Sequence, residues 1–131
     1  PGPCGQGTAG AEFRPGLDQH RIEAIIRKGT NPQIDSYSGF FDNSHRQSTG
    51  LADYLRGRGV TEVYLAGLAA DFCVYYSALD ALAEGFGVYY IEDATRAVNL
   101  PNSVAETNAA FAEHSIPRIH SSEIAEMPHD P

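Results

Sequence analysis

The sequence has 131 residues, enough for one domain, spanning residues 1–131, with a sizeable hydrophobic core. Seventeen Asp and Glu against nine Lys and Arg give a net charge of −8 without a basic cluster, which argues against nucleic acid or an anionic membrane as a partner. No apolar run is long enough to span a bilayer and no signal peptide is recognisable, so we expect a soluble, cytoplasmic protein whose partner is a small molecule.

The first third of the chain predicts one strand and two loops. Residues 1–20 are rich in Gly and Pro and predict a loop. The segment RIEAIIRK at 21–28 alternates and then runs apolar, which predicts a strand with Lys28 at its carboxyl end. The next segment, 29–47, has the length of loops that carry function, and its aromatic residues are Tyr37, Phe40 and Phe41. These rings could form a flat pocket for an aromatic substrate or could hold the loop against the core.

The middle of the chain predicts helix, strand and helix. Thr49 is the predicted N-cap of a helix through Arg58. A short apolar strand over 63–66 follows and ends at Gly67 or Leu68. The second, amphipathic helix has Asp71 as its predicted N-cap and Gly85 just past its end.

The last third continues the same alternation. The predicted elements are a strand over 87–92, a helix over 103–114 with a Ser103 and Glu106 capping box, a strand over 118–120, and a turn or helix from Ser122. This order predicts an α/β fold built on a parallel sheet with right-handed crossovers. Four strands are few for such a sheet, so we expect part of it to lie outside this sequence.

Cys73 is the candidate nucleophile, because it falls where a strand has ended and the first turn of a helix begins. Ligands and chemistry usually occupy that position in open α/β sheets. The free N–H groups and the dipole of a helix N-terminus favour a thiolate over a thiol. Lys28 would reach the same rim if the two strands are neighbours, and its ammonium would also favour the thiolate. The alternatives are a small buried core residue for Cys73 and a solvated lysine for Lys28.

Other potential sites have weaker patterns. Asp35, Asp42 and His45 are close in sequence, but their irregular spacing favours solvated polar residues over metal ligands. Cys4 and Cys73 are too few for a disulfide framework and indicate reduced thiols. No glycine-rich nucleotide-binding motif is present.

Four segments occur in an order that is typical of one family. They are QGTAGAEF at 6–13, IIRKGTNPQIDSYSGFFDN at 25–43, TGLADYLRGRGV at 49–60 and VYLAGLAADFCV at 63–74. With YYIEDATRAVN at 89–99, they resemble the nicotinamidase/pyrazinamidase family of the isochorismatase-like cysteine hydrolases. The resemblance runs over nearly the whole chain, and four colinear motifs are far more specific than one.

The resemblance implies a doubly wound parallel sheet with helices on both faces, and hydrolysis of nicotinamide, and of pyrazinamide, to the acid and ammonia in NAD salvage. It implies that Cys73 is the nucleophile and Lys28 a catalytic lysine. It also implies a cis peptide between Leu68 and Ala69, and an oxyanion hole made by the amides of Ala69 and Cys73. The implied substrate-binding residues are Tyr37, Leu68, Ala69 and Ala70.

The sequence departs from the family in its catalytic aspartate and metal ligands, which have no counterpart here. Pro3 stands where the last metal-binding histidine is expected, so we expect no metal ligands in this chain and read it as the carboxyl-terminal part of the enzyme. The family still implies a divalent metal: zinc, iron or manganese. Two alternatives stay open, namely another amide or carbamoyl hydrolase of the superfamily and a catalytically inactive α/β binding module. A homo-oligomer also stays open.

Overall fold

The structure, a computed structural model, describes residues 22–31, 33–98 and 100–126, with the backbone alone at 125 and 126. In chain order its elements are α1 (Leu51–Gly57), β1 (Glu62–Leu68), α2 (Cys73–Ala83), β2 (Gly87–Arg96), α3 (Ser103–Glu113), β3 (Arg118–Ile119) and a final 3₁₀ helix (Ser121–Glu126). The predictions over residues 1–20 and for Cys4 and Pro3 lie outside the described residues. No helix within these ranges is long and apolar enough to cross a membrane.

The three strands form a parallel sheet in the order β1, β2, β3. Leu65 pairs with Tyr90, but the register then shifts, so that Gly67 pairs with Thr95. The extra residues of β2 form a bulge, and the Thr95 hydroxyl closes it by donating to the Glu92 carbonyl at 3.1 Å. Because the strands pair again beyond the bulge, β2 is longer than the predicted 87–92 and follows β1 up to its last residue.

One hydrophobic cluster joins the three α-helices to one face of the sheet. The helices contribute Ala52, Val74, Ala78, Ala81 and Phe111, and the strands contribute Val63, Leu65, Val88 and Tyr90. The strand residues share a face because side chains alternate along a strand and the register aligns them. Tyr64 and Tyr89 lie on the opposite face, where their rings stack with centroids 4.8 Å apart.

The predicted strand over 21–28 is wrong for the part that is described, 22–28, which has no strand structure. A strand requires a backbone partner, and within the described residues no ladder joins this segment to β1. Its apolar side chains stay exposed, at 39% for Ile22, 52% for Ile25 and 37% for Ile26. The segment is held instead by Glu23, which accepts a hydrogen bond from the Tyr54 hydroxyl at 3.1 Å and pairs with Arg58.

The predicted first helix begins later than expected. Gly50, with φ of 87°, is the N-cap residue of α1 rather than Thr49. The Thr49 hydroxyl instead donates to the Gly39 carbonyl at 2.6 Å, while its oxygen accepts a longer bond from the Leu51 amide at 3.3 Å. The contact with Gly39 therefore uses Thr49 to join the long loop to α1.

The predicted caps of the other two helices are also wrong. Phe72 precedes α2 and Asn102 precedes α3, and neither helix has a side-chain cap. Asp71 and Ser103, the predicted caps, are hydrogen-bonded to each other at 2.6 Å. At the other end of α2 the prediction is confirmed, because Gly85 has φ of 93° and its amide donates to the Leu82 carbonyl at 3.0 Å.

Candidate active site

A tight turn between β1 and α2 positions the candidate nucleophile. The Leu68–Ala69 peptide is cis, as the family resemblance implies. The Ala69 carbonyl accepts hydrogen bonds from the amides of Phe72 at 3.1 Å and Val74 at 3.0 Å, which folds the chain back into the helix. Cys73 is the first residue of α2 and is a half-buried free thiol. The first amides of a helix lack intrahelical partners, so this end of α2 favours negative charge.

Lys28 lies next to Cys73 although the two are 45 residues apart in sequence. The Lys28 ammonium is 3.6 Å from Cys73 Sγ and donates a hydrogen bond to the Ser36 carbonyl at 2.8 Å. The predicted meeting of these two side chains is therefore confirmed, although no strand in the described residues delivers Lys28. A cation at this distance stabilises a thiolate relative to a thiol.

Lys28 also lines a polar cleft of about 210 Å³. The other walls come from the neighbouring Arg27 and from the loop up to Thr49, and include Thr30, Asn31, Gln47 and Ser48. Polar groups outnumber apolar ones in this wall, so the cleft is open to water and to polar ligands.

Tyr37 joins the long loop to α2 through ring contacts. Its ring stacks on Tyr76 with centroids 5.6 Å apart and an interplanar angle of 21°, and lies 5.6 Å from the Phe72 ring at 59°. The Tyr37 amide donates to Asn43 Oδ1 at 3.1 Å. These contacts support the reading in which the aromatic residues hold the loop against the rest of the protein. Tyr37 also faces a cleft of about 240 Å³ between the loop and α2.

The other residues that the family resemblance implies as substrate contacts, Leu68, Ala69 and Ala70, differ in how exposed they are. Leu68 is 73% exposed beside the turn, and Ala69 is half-buried. Ala70 is buried in the hydrophobic cluster and borders a cavity of about 190 Å³ behind the turn, which Tyr90 and Arg96 also line. Leu68 is therefore accessible to a ligand and Ala69 partly so, whereas the Ala70 side chain is buried.

The candidate metal ligands organise the loop instead. Asp42 is buried and accepts hydrogen bonds from the Arg46 amide at 2.9 Å and the Ser44 hydroxyl at 3.1 Å. Burial alone would raise the pKa of Asp42, but these hydrogen bonds outweigh it and hold the pKa below its ordinary value. His45 Nε2 lies 3.4 Å from Asp80 Oδ1, so its nearest carboxylate is on α2.

The described residues do not fit a metal ion. Within 22–31, 33–98 and 100–126, no three His, Cys, Asp or Glu side chains are grouped so that they could hold one. The Asp35 carbonyl accepts the Asn43 amide at 2.8 Å, which is a loop contact like those of Asp42.

Two hydrogen bonds beside the candidate site were not predicted from the sequence. Asp71 accepts hydrogen bonds from the Val98 amide and the Ser103 hydroxyl, which lie 27 and 32 residues further along the chain. A local pattern carries no signal for such distant partners, and Asp71 before a helix matches an N-cap equally well. The contacts tie the turn that carries Cys73 to the connection between β2 and α3.

Comparison with known proteins gives a consistent family. The sequence profile of the Isochorismatase domain family matches residues 1–123. The nicotinamidase of Escherichia coli is 47% identical over 100 residues, which cover 76% of this chain and 47% of that protein. The nicotinamidase of Acinetobacter baylyi is 42% identical over 124 residues, which cover 95% of this chain and 58% of that protein.

Solved structures show the same similarity in three dimensions. A nicotinamidase/pyrazinamidase of Acinetobacter baumanii has a TM-score of 0.89 and 42% identity, covering 95% of this chain and 60% of its own. The PnC1 protein of L. infantum in complex with nicotinate has a TM-score of 0.84 and 41% identity, with coverages of 89% and 58%. The pyrazinamidase of Pyrococcus horikoshii in complex with zinc has a TM-score of 0.77 and 37% identity, with coverages of 92% and 62%.

The chain therefore spans between 47% and 62% of the length of these relatives. Over that span the isochorismatase-like α/β fold is confirmed, and the described strands form its parallel sheet. The sequence profile, the relatives and the fold agree that this chain belongs to the isochorismatase domain family.

Proposed function

We propose that the protein is an amidohydrolase that converts nicotinamide, and also pyrazinamide, to the acid and ammonia through a thioester on Cys73. The observation that carries the proposal is the 3.6 Å distance between the Lys28 ammonium and Cys73 Sγ at the start of α2. The relatives named nicotinamidase, at 42% and 47% identity, support the same chemistry, as does the complex of a similar protein with nicotinate. This activity would belong to NAD salvage.

In the first step the Cys73 thiolate attacks the carboxamide carbon. A carbon–sulfur bond forms, and the electron pair of the carbonyl moves onto its oxygen. The amides of Ala69 and Cys73 are the proposed donors to that oxyanion, because both belong to the turn that presents the thiolate. Lys28 adds a fixed positive charge that favours both the thiolate and the oxyanion.

In the second step the carbon–nitrogen bond breaks, and the nitrogen takes a proton and leaves as ammonia. In the family that proton comes from an aspartate with no counterpart in this sequence, and we assign Lys28 an assisting, electrostatic part. Water then attacks the thioester carbon, which breaks the carbon–sulfur bond and releases the acid. The proton that the water gives up returns to the group that protonated the ammonia, so Cys73 leaves as the thiolate that began the cycle. Atoms and charges balance over the cycle, since one water is consumed for each ammonia released.

We assign recognition of the aromatic ring of the substrate to Tyr37 and to the turn residues Leu68 and Ala69. The Tyr37 ring contacts two other rings, with centroid distances of 5.6 Å to Tyr76 on α2 and 5.6 Å to Phe72 just before α2. A ring that is already fixed loses little conformational freedom when a planar ligand packs on it. Leu68 and Ala69 supply further contacts, and Ala70 supports them from behind.

A divalent metal, namely zinc, iron or manganese, is proposed for the whole protein, because one similar pyrazinamidase is in complex with zinc. The described residues offer no group of ligands for it, and no step above passes through it. We also propose a cytoplasmic setting, which would keep the Cys73 thiol reduced.

The test is release of ammonia from nicotinamide by the full chain, with Cys73→Ala and Cys4→Ala as paired variants. We expect Cys73→Ala to lower kcat by at least about 10³-fold, on the scale known for removal of a nucleophile, and Cys4→Ala to leave kcat unchanged. Activity that survives Cys73→Ala would overturn the nucleophile.

One relative shows why the activity assay is needed. A probable inactive nicotinamidase of Arabidopsis thaliana is 29% identical over 128 residues, so family membership alone does not guarantee turnover. Wild-type protein that releases ammonia from other carboxamides but not from nicotinamide would favour another amide or carbamoyl hydrolase. Wild-type protein that releases none would favour a binding module.

A further inference from the structure

We infer that Asp71 is a positioning residue for the nucleophile, and that its carboxylate holds the turn 69–73 in the geometry that the reaction requires. The inference deepens the proposed function and rests on it for its kinetic readout. Its chemical readout, the reactivity of the Cys73 thiol, does not require that nicotinamide is the substrate.

The side chain of Asp71 is buried, at 4% exposure, and both carboxylate oxygens are engaged. Oδ1 accepts the Val98 amide at 2.9 Å, and Oδ2 accepts the Ser103 hydroxyl at 2.6 Å. Hydrogen bonds to an ionised acceptor are shorter and stronger than neutral ones, and their loss leaves buried groups without partners. We call these two bonds the Asp71 latch.

A backbone contact supports the latch from the neighbouring residue. The Ala70 amide donates to the Arg96 carbonyl at 2.9 Å. Arg96 is also the residue that pairs with Leu68 after the register shift, so β2 accompanies the chain to the last residue before the turn. The middle of the turn, at 70 and 71, is therefore fixed by these hydrogen bonds to the end of β2, to the connection after it and to the start of α3.

The two ends of the same turn carry the groups that the proposed reaction uses. Ala69 supplies one oxyanion donor, and Cys73 supplies the thiolate and the other donor. The Ala69 carbonyl, bonded to Phe72 and Val74, makes the turn a single compact unit. Because the unit is compact, a shift of its middle moves both ends and changes the 3.6 Å distance between Cys73 Sγ and the Lys28 ammonium.

The molecule contains a matched control for the latch. Like Asp71, Asp93 accepts one backbone amide and one serine hydroxyl. Both groups belong to Ser121, at 2.7 and 2.6 Å. Asp93 is more exposed, and its bonds fix the start of the 3₁₀ helix rather than the turn. Its removal deletes the same two kinds of hydrogen bond without touching the turn 69–73.

The experiment compares Asp71→Ala, Asp71→Asn, Ser103→Ala and Asp93→Ala in the full chain. It measures iodoacetamide labelling of the Cys73 peptide at pH 7 by mass spectrometry, and kcat and KM for nicotinamide. Displacement of reacting groups by about 1 Å can cost about 10²-fold in rate, so we expect Asp71→Ala to lower kcat by at least about tenfold with a smaller change in KM. We expect slower labelling of Cys73 as well, since the thiolate loses its alignment with Lys28.

The variant Asp71→Asn distinguishes a change in the geometry of the turn from a general loss of stability. Asp71→Asn can still accept the Val98 amide and can donate to the Ser103 hydroxyl, so labelling and kcat should recover most of the loss seen in Asp71→Ala. Asp93→Ala should label and turn over as the wild type does. Ser103→Ala, which removes one bond of the latch, should change both readouts in the same direction as Asp71→Ala but less.

Equal effects of Asp71→Ala and Asp93→Ala on labelling and on kcat would overturn the inference, as would a change in KM alone. If circular dichroism shows that Asp71→Ala does not fold, Ser103→Ala decides, and unchanged labelling in that variant overturns the latch. If the wild type releases no ammonia from nicotinamide, the proposed function fails, while the labelling ratio between the Asp71 and Asp93 variants still decides the inference.

Discussion

At the scale of single residues, the Cys73 thiol has two neighbours that favour negative charge, and they differ in kind. The N-terminus of α2 offers fixed amide dipoles, which are part of the backbone. The Lys28 ammonium offers a full charge at 3.6 Å, carried on a flexible side chain that the Ser36 carbonyl holds in place. Substitution can remove the second without disturbing the first, so the two contributions can be measured separately.

The first prediction is that Cys73 alkylates faster than Cys4 in the same protein near neutral pH. The reason is that the Lys28 ammonium lies 3.6 Å from Cys73 Sγ and that Cys73 begins α2, which is the electropositive setting in which reactive cysteines occur. Site-resolved mass spectrometry after brief iodoacetamide treatment measures both rates in one sample. Equal rates would count against Cys73 as an activated nucleophile.

The second prediction concerns Lys28→Met, which keeps much of the side-chain length and deletes the charge. We expect kcat to fall by about 10²–10³-fold, the scale of losing one oxyanion donor, and alkylation of Cys73 at pH 7 to slow. Arg27→Met is the control, since it deletes the adjacent positive charge, and it should retain activity. If Lys28→Met kept both the wild-type kcat and the wild-type alkylation rate, Lys28 would be an ordinary surface lysine.

The third prediction is that Tyr37→Ala raises KM for nicotinamide more than it lowers kcat. Aromatic pairs contribute about 0.5–1.5 kcal/mol beyond burial, so the expected rise in KM is roughly 2- to 12-fold. Tyr37→Phe keeps the ring and its contacts with Tyr76 and Phe72, and should therefore keep KM. A loss confined to kcat would instead make Tyr37 a structural support of the loop.

At the scale of elements, local patterns predicted the interiors of helices and strands better than their ends. The strand at 63–66 and the buried face of α2 could be predicted from the pattern of apolar residues alone, because both pack into the same hydrophobic cluster. The starts of α2 and α3 do not follow, since Asp71 and Ser103 exchange a hydrogen bond across 32 residues in place of capping. An N-cap is predicted from neighbouring residues only. A polar side chain that is distant in sequence can take up the same hydrogen bond, and the local pattern does not show it.

The segment 22–28 is a second case in which a local pattern predicted the wrong structure. Its alternation predicted a strand and, through the strand, the position of Lys28. The described residues contain no strand there, yet Lys28 reaches Cys73 because Glu23 holds the segment to α1 and Ser36 holds the side chain. The proximity of Lys28 and Cys73 was therefore predicted from the sequence, but the local structure that delivers Lys28 was not.

The fourth prediction concerns the pH dependence of the contact between Asp93 and the 3₁₀ helix. The hydroxyl and the amide of Ser121 hold the pKa of Asp93 below its ordinary value of 3.8, which burial only partly offsets. A lowered pKa in the folded state means that the contact stabilises the fold above pH 3.8 and is lost as pH falls through the folded pKa.

Thermal unfolding of wild type and Asp93→Asn between pH 7 and pH 2.5 tests this directly. The wild type should have the higher Tm at neutral pH, and the difference should shrink below about pH 3.8 as the wild-type carboxylate is protonated. A difference in Tm that stays constant across the range would mean that the carboxylate charge contributes nothing to the contact.

At the scale of the whole molecule, one cluster connects every element that positions the site. The three α-helices and two strands share it, and α2, which carries Cys73, contributes more of its buried residues than α1 or α3 does. The order of elements predicted a parallel sheet with right-handed crossovers, and the described strands are parallel in the order β1, β2, β3. The contacts between the turn and the connection after β2 could not be predicted, since they depend on a register shift within the sheet.

The last prediction follows from Phe111, which is the largest fully buried side chain in the described residues, at 1% exposure. Its ring lies 6.1 Å from Tyr75 on α2 and 4.9 Å from Tyr90 on β2, so it fills the space where α3 meets both. Phe111→Ala should lower the free energy of unfolding by about 3–5 kcal/mol, which is the usual cost of such a cavity. Small domains are stable by about 5–15 kcal/mol in total, so the variant should stay folded only marginally.

Urea unfolding of the full chain at 25 °C measures this loss, with Leu100→Ala as the control. Leu100 is 51% exposed, and its truncation should stay within about 0.5 kcal/mol of wild type. Fluorescence from the tyrosines and circular dichroism should give the same midpoint, because the cluster that holds Phe111 also joins the helices to the sheet. A loss below about 1 kcal/mol for Phe111→Ala would mean that the surrounding side chains collapse into the space and that α3 contributes little to the fold.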